Sequence, residues 1–76
     1  MRPLTELSHG EKGEVETLKS GPGFISRMAS MGLSPGATVM VMQNFPKRPL
    51  IVNVRYTFIA LGRSEAELVY ISKGTK

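Results

Sequence analysis

The segment "RMASMGLSPGATVMVM" constrains the fold more than any other part of this sequence. Its first half has apolar residues at helical spacing, and Gly32 then occupies the position of the left-handed residue that ends a helix. Leu33 stands where the apolar residue of such a cap packs back onto the helix, which predicts a contact with Met28. Pro35-Gly36 suits the middle of a type II turn. We therefore predict one short α-helix, over about 24–31, that ends abruptly and is followed by a buried strand.

Short apolar or alternating segments separated by turn residues predict about five strands. They are Gly13–Lys19, Thr38–Gln43, Leu50–Arg55, Thr57–Leu61 and Leu68–Ile71. Only Tyr56 separates the third from the fourth, so one long bent strand and a tight hairpin both remain open. The S-x-x-E spacing from Ser64 to Glu67 is that of a capping box and predicts a helical turn near 64–67. A chain of 76 residues has little area to bury an open sheet, which favours closure into a small barrel. We predict one mainly β domain over 1–76.

The composition offers little material for catalysis. The chain has no Cys, its six acidic residues are all Glu, and His9 is its only histidine, so no catalytic constellation emerges. We expect no enzyme activity and no cofactor. No apolar run approaches the roughly 20 residues that cross a bilayer, and the N-terminal segment lacks the apolar stretch of a signal peptide. We therefore expect a cytoplasmic protein without direct membrane insertion.

The methionines and the single histidine raise the question of a metal site. His9 and Glu11 fall short of the three or four protein ligands that zinc or ferrous iron usually needs, so we predict no metal site. Direct Fe²⁺ binding through His9 and nearby Glu residues remains an alternative. In the strand 38–43, Met40 and Met42 point to one side, and Val39 and Val41 to the other. We expect the methionine pair to be covered by Phe24, Ile25 and Met28 of the helix; an exposed pair would instead form a docking surface.

The formal net charge of +4 raises the alternative of a barrel that binds single-stranded nucleic acid. The residues suited to this are basic or aromatic: Lys47, Arg48, Arg55, Arg63, Tyr56, Phe58 and Tyr70. The charges are dispersed and no RNA-binding signature is visible, so we expect no nucleic acid partner.

Five segments in order, "LSHGEKGEV", "RMASMGLSPGATVMVM", "PLIVNVR", "IAL" and "EAELVYI", resemble the FeoA family over roughly Pro3 to Ile71. The resemblance implies an SH3-like barrel that serves as a small accessory of bacterial ferrous iron uptake. The implied partner is FeoB, a membrane transporter with a cytoplasmic GTP-binding domain. Two positions depart from the family pattern. Arg55-Tyr56 stands where Arg-Gly is usual, and Gly62-Arg63 where Arg-Arg or Arg-Lys is frequent.

The sequence therefore leads to the hypothesis of an interaction module that docks on the cytoplasmic part of a ferrous iron transporter. The residues that we expect to contact the partner are Met40, Met42, Phe45, Lys47, Arg48, Arg55 and Tyr56. Self-association is left open, because a barrel with an apolar outer strand presents a surface that a second copy can also use.

Overall fold

The computed structural model describes residues 1–72. These form six strands, two α-helices and one 3₁₀ turn. In chain order they are β1 (Arg2–Pro3), the 3₁₀ turn (Leu4–Glu6), β2 (Lys12–Leu18), α1 (Pro22–Ser30), β3 (Thr38–Gln43), β4 (Leu50–Val54), β5 (Thr57–Leu61), α2 (Arg63–Ala66) and β6 (Val69–Ile71).

The strands form one antiparallel sheet in the order β1-β6-β2-β3-β4-β5, which curls around a single core. β2 pairs with both β3 and β6, and register shifts interrupt β2 near Thr17 and β3 near Met42. Such bulges bend a strand and increase its twist, which lets a small sheet curl. The mainly β prediction is confirmed, with six strands rather than about five because Arg2 and Pro3 pair with β6.

The end of α1 has the predicted cap. The N–H of Leu33 donates to the carbonyl of Met28 at 2.9 Å, and the N–H of Gly32 donates to the carbonyl of Ala29 at 2.9 Å. Gly32 has φ +92°, so these are the two bonds and the left-handed residue of a Schellman motif. Leu33 and Met28 are both fully buried in the core. The helix begins two residues earlier than predicted, because Pro22 is well suited to its first position.

Two turns connect α1 to the sheet and β4 to β5. Gly36 has φ +96°, and the N–H of Ala37 donates to the carbonyl of Ser34 at 3.0 Å, as expected of a type II turn. Arg55 and Tyr56 both have positive φ, 51° and 66°, and join two paired strands. They form the two-residue type I′ turn of a hairpin, which excludes one long bent strand.

The helical turn α2 lies one residue earlier than predicted. Its N-cap is Gly62, whose N–H donates to the Glu65 carboxylate at 3.3 Å. The predicted capping box from Ser64 to Glu67 is therefore wrong in register. Glu65 is held in place by a long-range contact as well, since it forms an ion pair with Arg27 of α1. That pairing between two helices cannot be read from local spacing.

The core is formed by inward-facing residues of the strands together with residues outside them, namely Leu4, Leu7, Met28, Leu33, Ala37 and Ala66. A Cβ at Gly32 would lie 3.1 Å from Cγ1 of Val54, so the end of α1 approaches the β4–β5 hairpin closely. Within residues 1–72, no helix is long and apolar enough to span a membrane.

Candidate functional site

The outward side of β3, β4 and β5 forms a partly exposed and largely apolar surface, which we call the outer face. Its members are Met40, Met42, Gln43, Ile51, Asn53, Phe58 and Ala60. Register places Met40, Asn53 and Phe58 in one row across the three strands. Phe58 is 67% exposed and Met42 is 38% exposed. Singly exposed apolar residues are ordinary on a protein surface, but a contiguous set on adjacent strands is typical of an interaction site.

Helix α1 does not cover the outer face, so the expectation that Phe24, Ile25 and Met28 cover Met40 and Met42 is wrong. Met28 lies inside the core, and Phe24 packs against that core. The close approach of Gly32 to Val54 ties the end of the helix to the inward side of β4. The methionines on the two elements therefore do not meet, and Met42 remains exposed.

The tip of the β4–β5 hairpin borders one end of the outer face. Tyr56 is fully exposed, and Arg55 is exposed beside it. Together with Met40 and Lys12 they border an open groove of about 610 Å³. Its full lining is Lys12, Gly36, Ala37, Thr38, Met40, Asn53, Arg55 and Tyr56. The structure thus brings together three of the seven predicted contact residues, namely Met40, Arg55 and Tyr56.

The turn between β3 and β4 carries Phe45, Lys47 and Arg48 at the other end of β4. The N–H of Arg48 donates to the carbonyl of Phe45 at 3.2 Å, and Lys47 has φ +64°. Because β4 spans roughly 14 Å from first to last Cα, these residues lie far from the hairpin tip. The seven predicted residues therefore do not form one patch, although Met42 lies between the two groups.

Arg63 holds the β3–β4 turn in place. Its Nη1 donates to the carbonyls of Phe45 and Arg48, both at 2.8 Å, and its Nη2 donates to Oδ1 of Asn44 at 2.9 Å. The Asn44 amide in turn donates to the carbonyls of Thr5 and Leu7, at 2.9 and 2.7 Å. We call Arg63 and Asn44 the clasp, because they join the N-terminal segment, the β3–β4 turn and the start of α2.

The residues suggested for nucleic acid binding have other contacts. The Arg63 guanidinium is occupied by the clasp. Tyr70 is half-buried, and Nζ of Lys19 lies 5.0 Å from the centre of its ring. The nucleic acid alternative is therefore weakened, because the Arg63 cation and the Tyr70 ring are both engaged in contacts within the protein.

His9 and Glu11 are also engaged elsewhere. The His9 ring meets the Phe45 ring edge to face, with ring centres 5.0 Å apart. The Glu11 carboxylate accepts from Nη1 of Arg2 at 2.8 Å and from the N–H of Ser8 at 2.9 Å. These bonds, the one from Arg2 foremost, hold the pKa of Glu11 below its ordinary value. Among the residues that the structure describes, no three His, Cys, Asp or Glu side chains come together as metal ligands.

The outer-face members of β4 and β5, namely Ile51, Asn53, Phe58 and Ala60, are not among the predicted contact residues. The signal was present in the alternation of β4 and β5, where Leu50 and Val52 face inward. Once the two segments are known to pair as a hairpin, alternation places Phe58 and Ala60 outward. The sequence does not decide between a hairpin and one long bent strand. It therefore does not show which residues of β5 face outward.

Comparison with known proteins gives consistent results. Residues 2–73 match the family model described as the FeoA domain. A candidate Fe(2+) transport protein A from Methanocaldococcus jannaschii is 31% identical over 71 residues, which are 93% of this chain and 85% of that protein. A crystal structure described as iron uptake regulatory protein (FeoA) superposes with a TM-score of 0.87 at 36% identity, covering 91% of this chain and 92% of the other.

A second solved structure identifies the fold type. It is that of Stenotrophomonas maltophilia FeoA complexed with zinc, described as a procaryotic SH3 domain protein. Its TM-score is 0.77 at 28% identity, and the match covers 91% of this chain and 87% of that one. The predicted SH3-like fold is confirmed by this similarity and by the six antiparallel strands. The chain belongs to the FeoA family of ferrous iron transport proteins.

Proposed function

We propose that this chain is a small cytoplasmic accessory of ferrous iron uptake that acts by binding the cytoplasmic part of the FeoB transporter. The family links the chain to ferrous iron transport. The observation that carries the proposal is the outer face, where Phe58 of β5 and Met42 of β3 are both exposed, one on each side of β4. The strand backbones are already ordered before binding, which lowers the conformational cost of using their side chains as contacts.

The charges around the outer face define the kind of partner surface that fits it. Lys12 pairs in register with Met40 and is exposed, and Arg55 lies at the hairpin tip. A partner surface with an apolar centre and acidic residues at the rim on that side is complementary to this arrangement. The net charge of +4 adds a long-range attraction to such a surface.

The methionines suit a contact of this kind. Met40 and Met42 are flexible and polarisable, so they can adapt to a partner whose surface changes shape, as that of a GTP-binding domain does between nucleotide states. We therefore expect the affinity to depend on the nucleotide bound by the transporter domain.

Isothermal titration of the chain against the isolated cytoplasmic domain of FeoB, in its GDP-bound and GTP-analogue-bound forms, tests the proposal. We expect saturable binding in at least one nucleotide state. A single-stranded oligonucleotide serves as the comparison and is expected not to bind at low salt. Absence of binding to the transporter domain in every state would remove the proposal, and tight salt-sensitive binding to the oligonucleotide would favour the nucleic acid alternative.

A further inference from the structure

Among the strands formed by residues 1–72, β5 lies at one edge of the sheet, and β4 is its neighbour in the strand order. Its sequence, Thr57–Leu61, carries no charged residue. Natural sheets usually protect such an edge with charges, proline or a covering element. An uncharged and exposed edge is a template on which another extended chain can pair.

The hairpin turn determines which backbone groups of β5 are free. A two-residue turn makes the flanking pair, Val54 and Thr57, a hydrogen-bonded pair, and such pairs alternate along antiparallel strands. Phe58 and Ala60 therefore occupy the positions whose N–H and C=O groups point away from β4. Within residues 1–72, neither residue forms a backbone hydrogen bond outside the hairpin. The edge thus offers two donors and two acceptors at the spacing of an antiparallel ladder.

A groove runs beside this edge on the inward side of the sheet. It has a volume of about 410 Å³ and is bounded by the C-terminal end of α1 and by the β4–β5 hairpin. Its lining is Ala29, Ser30, Met31, Gly32, Val54, Arg55, Thr57 and Ile59. A strand added to β5 would direct alternate side chains into this groove, against Ile59 and Met31, and the others toward Phe58 on the outer face.

We propose that the β5 edge and the α1 groove together bind an extended segment of the partner by strand addition, with apolar residues at alternating positions and a carboxylate near Arg55. This inference rests on the proposed function, because the segment belongs to the cytoplasmic part of the transporter. Arg55 is the only charged residue in the lining given above, so it sets the sign of the complementary group. A second copy of this chain is disfavoured as occupant, because it brings another Arg55 and a further net charge of +4.

A variant that blocks backbone pairing distinguishes strand addition from binding through side-chain contacts alone. Ala60→Pro removes one outward N–H and obstructs pairing while leaving the bonds to β4 intact, since proline is tolerated where an edge N–H faces solvent. Ala60→Ser changes the same side chain and keeps the N–H, so it is the matched control. We expect Ala60→Pro to weaken binding to the FeoB cytoplasmic domain at least about tenfold and Ala60→Ser less than about twofold.

Amide hydrogen exchange of the wild-type chain supplies a second measurement that needs no variant. Saturation with the FeoB cytoplasmic domain is expected to slow exchange at Phe58 and Ala60. Equal affinities of Ala60→Pro and wild type, or unchanged exchange at both amides in the saturated complex, would overturn strand addition while leaving the proposed function in place. Protection of the same amides on concentrating the chain alone would identify a second copy as occupant and also overturn it. Failure of the wild type to bind would remove both proposals.

Discussion

Arg63 and Asn44 are joined by a hydrogen bond of 2.9 Å from Nη2 of the arginine to Oδ1 of the amide, across 19 positions of sequence. This bond connects α2 to the β3–β4 turn. Because the Asn44 amide also donates to the carbonyls of Thr5 and Leu7, the turn is connected to the segment before β2 as well. Arg63 donates in addition to two backbone carbonyls of the turn. The basic turn is thus positioned by a side chain that is itself unavailable for a partner.

Loss of the clasp is expected to destabilise the fold. Arg63→Ala leaves three acceptors without their charged donor, and we expect the free energy of unfolding to fall by about 2 kcal/mol, measured by urea denaturation. Arg63→Lys is expected to recover less than half, because an ammonium group cannot reproduce the planar fork. Arg48→Ala, which removes an exposed side chain but keeps the accepting carbonyl, is the control. A change below about 0.5 kcal/mol for Arg63→Ala would show that the clasp contributes little.

The hairpin tip carries conformational strain that glycine would relieve. Tyr56 has φ +66° in a type I′ turn, a position where glycine is preferred. We expect Tyr56→Gly to raise the free energy of unfolding by about 1 kcal/mol. Tyr56→Phe keeps the strained backbone and is expected to match the wild type. Lower stability of Tyr56→Gly in thermal unfolding would mean that the tyrosine ring makes stabilising contacts despite its exposure.

The ion pair between Arg2 and Glu11 predicts a dependence of stability on pH. Because the bond from Arg2 lowers the pKa of Glu11 in the folded state, its contribution is present above the ordinary glutamate pKa and is lost as the pH falls through the lower folded value. Glu11→Gln is therefore expected to be less stable than wild type at neutral pH, and the two should converge in acid. Glu16→Gln, which removes an exposed carboxylate from β2, controls for the change in net charge. A stability difference that stays constant from neutral pH to acid would contradict the assignment.

Gly13 is required by the close crossing of β2 and β6. A Cβ at this buried position would overlap Cγ2 of Ile71. We expect Gly13→Ala to lower the free energy of unfolding by about 1–3 kcal/mol, because the neighbouring core residue must shift. The double variant Gly13→Ala with Ile71→Val tests the cause, since removal of one methyl group should recover part of the loss. If the double variant recovers no stability, the loss in Gly13→Ala does not arise from the contact with Ile71.

The local features of this fold could be predicted from the sequence where one residue type determines the backbone. Gly32 and Leu33 specify the end of α1, and Pro35 with Gly36 specifies the next turn, so both predictions are confirmed. Arg55-Tyr56 gave no such signal, since neither residue is typical of a type I′ turn. The hairpin became evident only from the pairing of β4 with β5.

Long-range contacts limited the prediction of the site. Nothing in the spacing of Arg63 and Asn44 indicates that they meet, so the sequence suggests Arg63 for nucleic acid binding although the structure engages it in the clasp. The position of α1 depends on the approach of Gly32 to Val54, which is also a tertiary contact. Alternation correctly placed Met40 and Met42 on one side of β3, but it could not show whether the helix covers that side.

In the proposed complex, the outer face binds the transporter. The most direct measurement is the dissociation constant for the FeoB cytoplasmic domain of the wild type, of Phe58→Glu and of Ser26→Glu, which adds the same charge to an exposed position of α1. We predict that Phe58→Glu weakens binding at least about tenfold and that Ser26→Glu changes it less than about twofold, with both variants folded. Equal affinity of Phe58→Glu and wild type would contradict binding through the outer face.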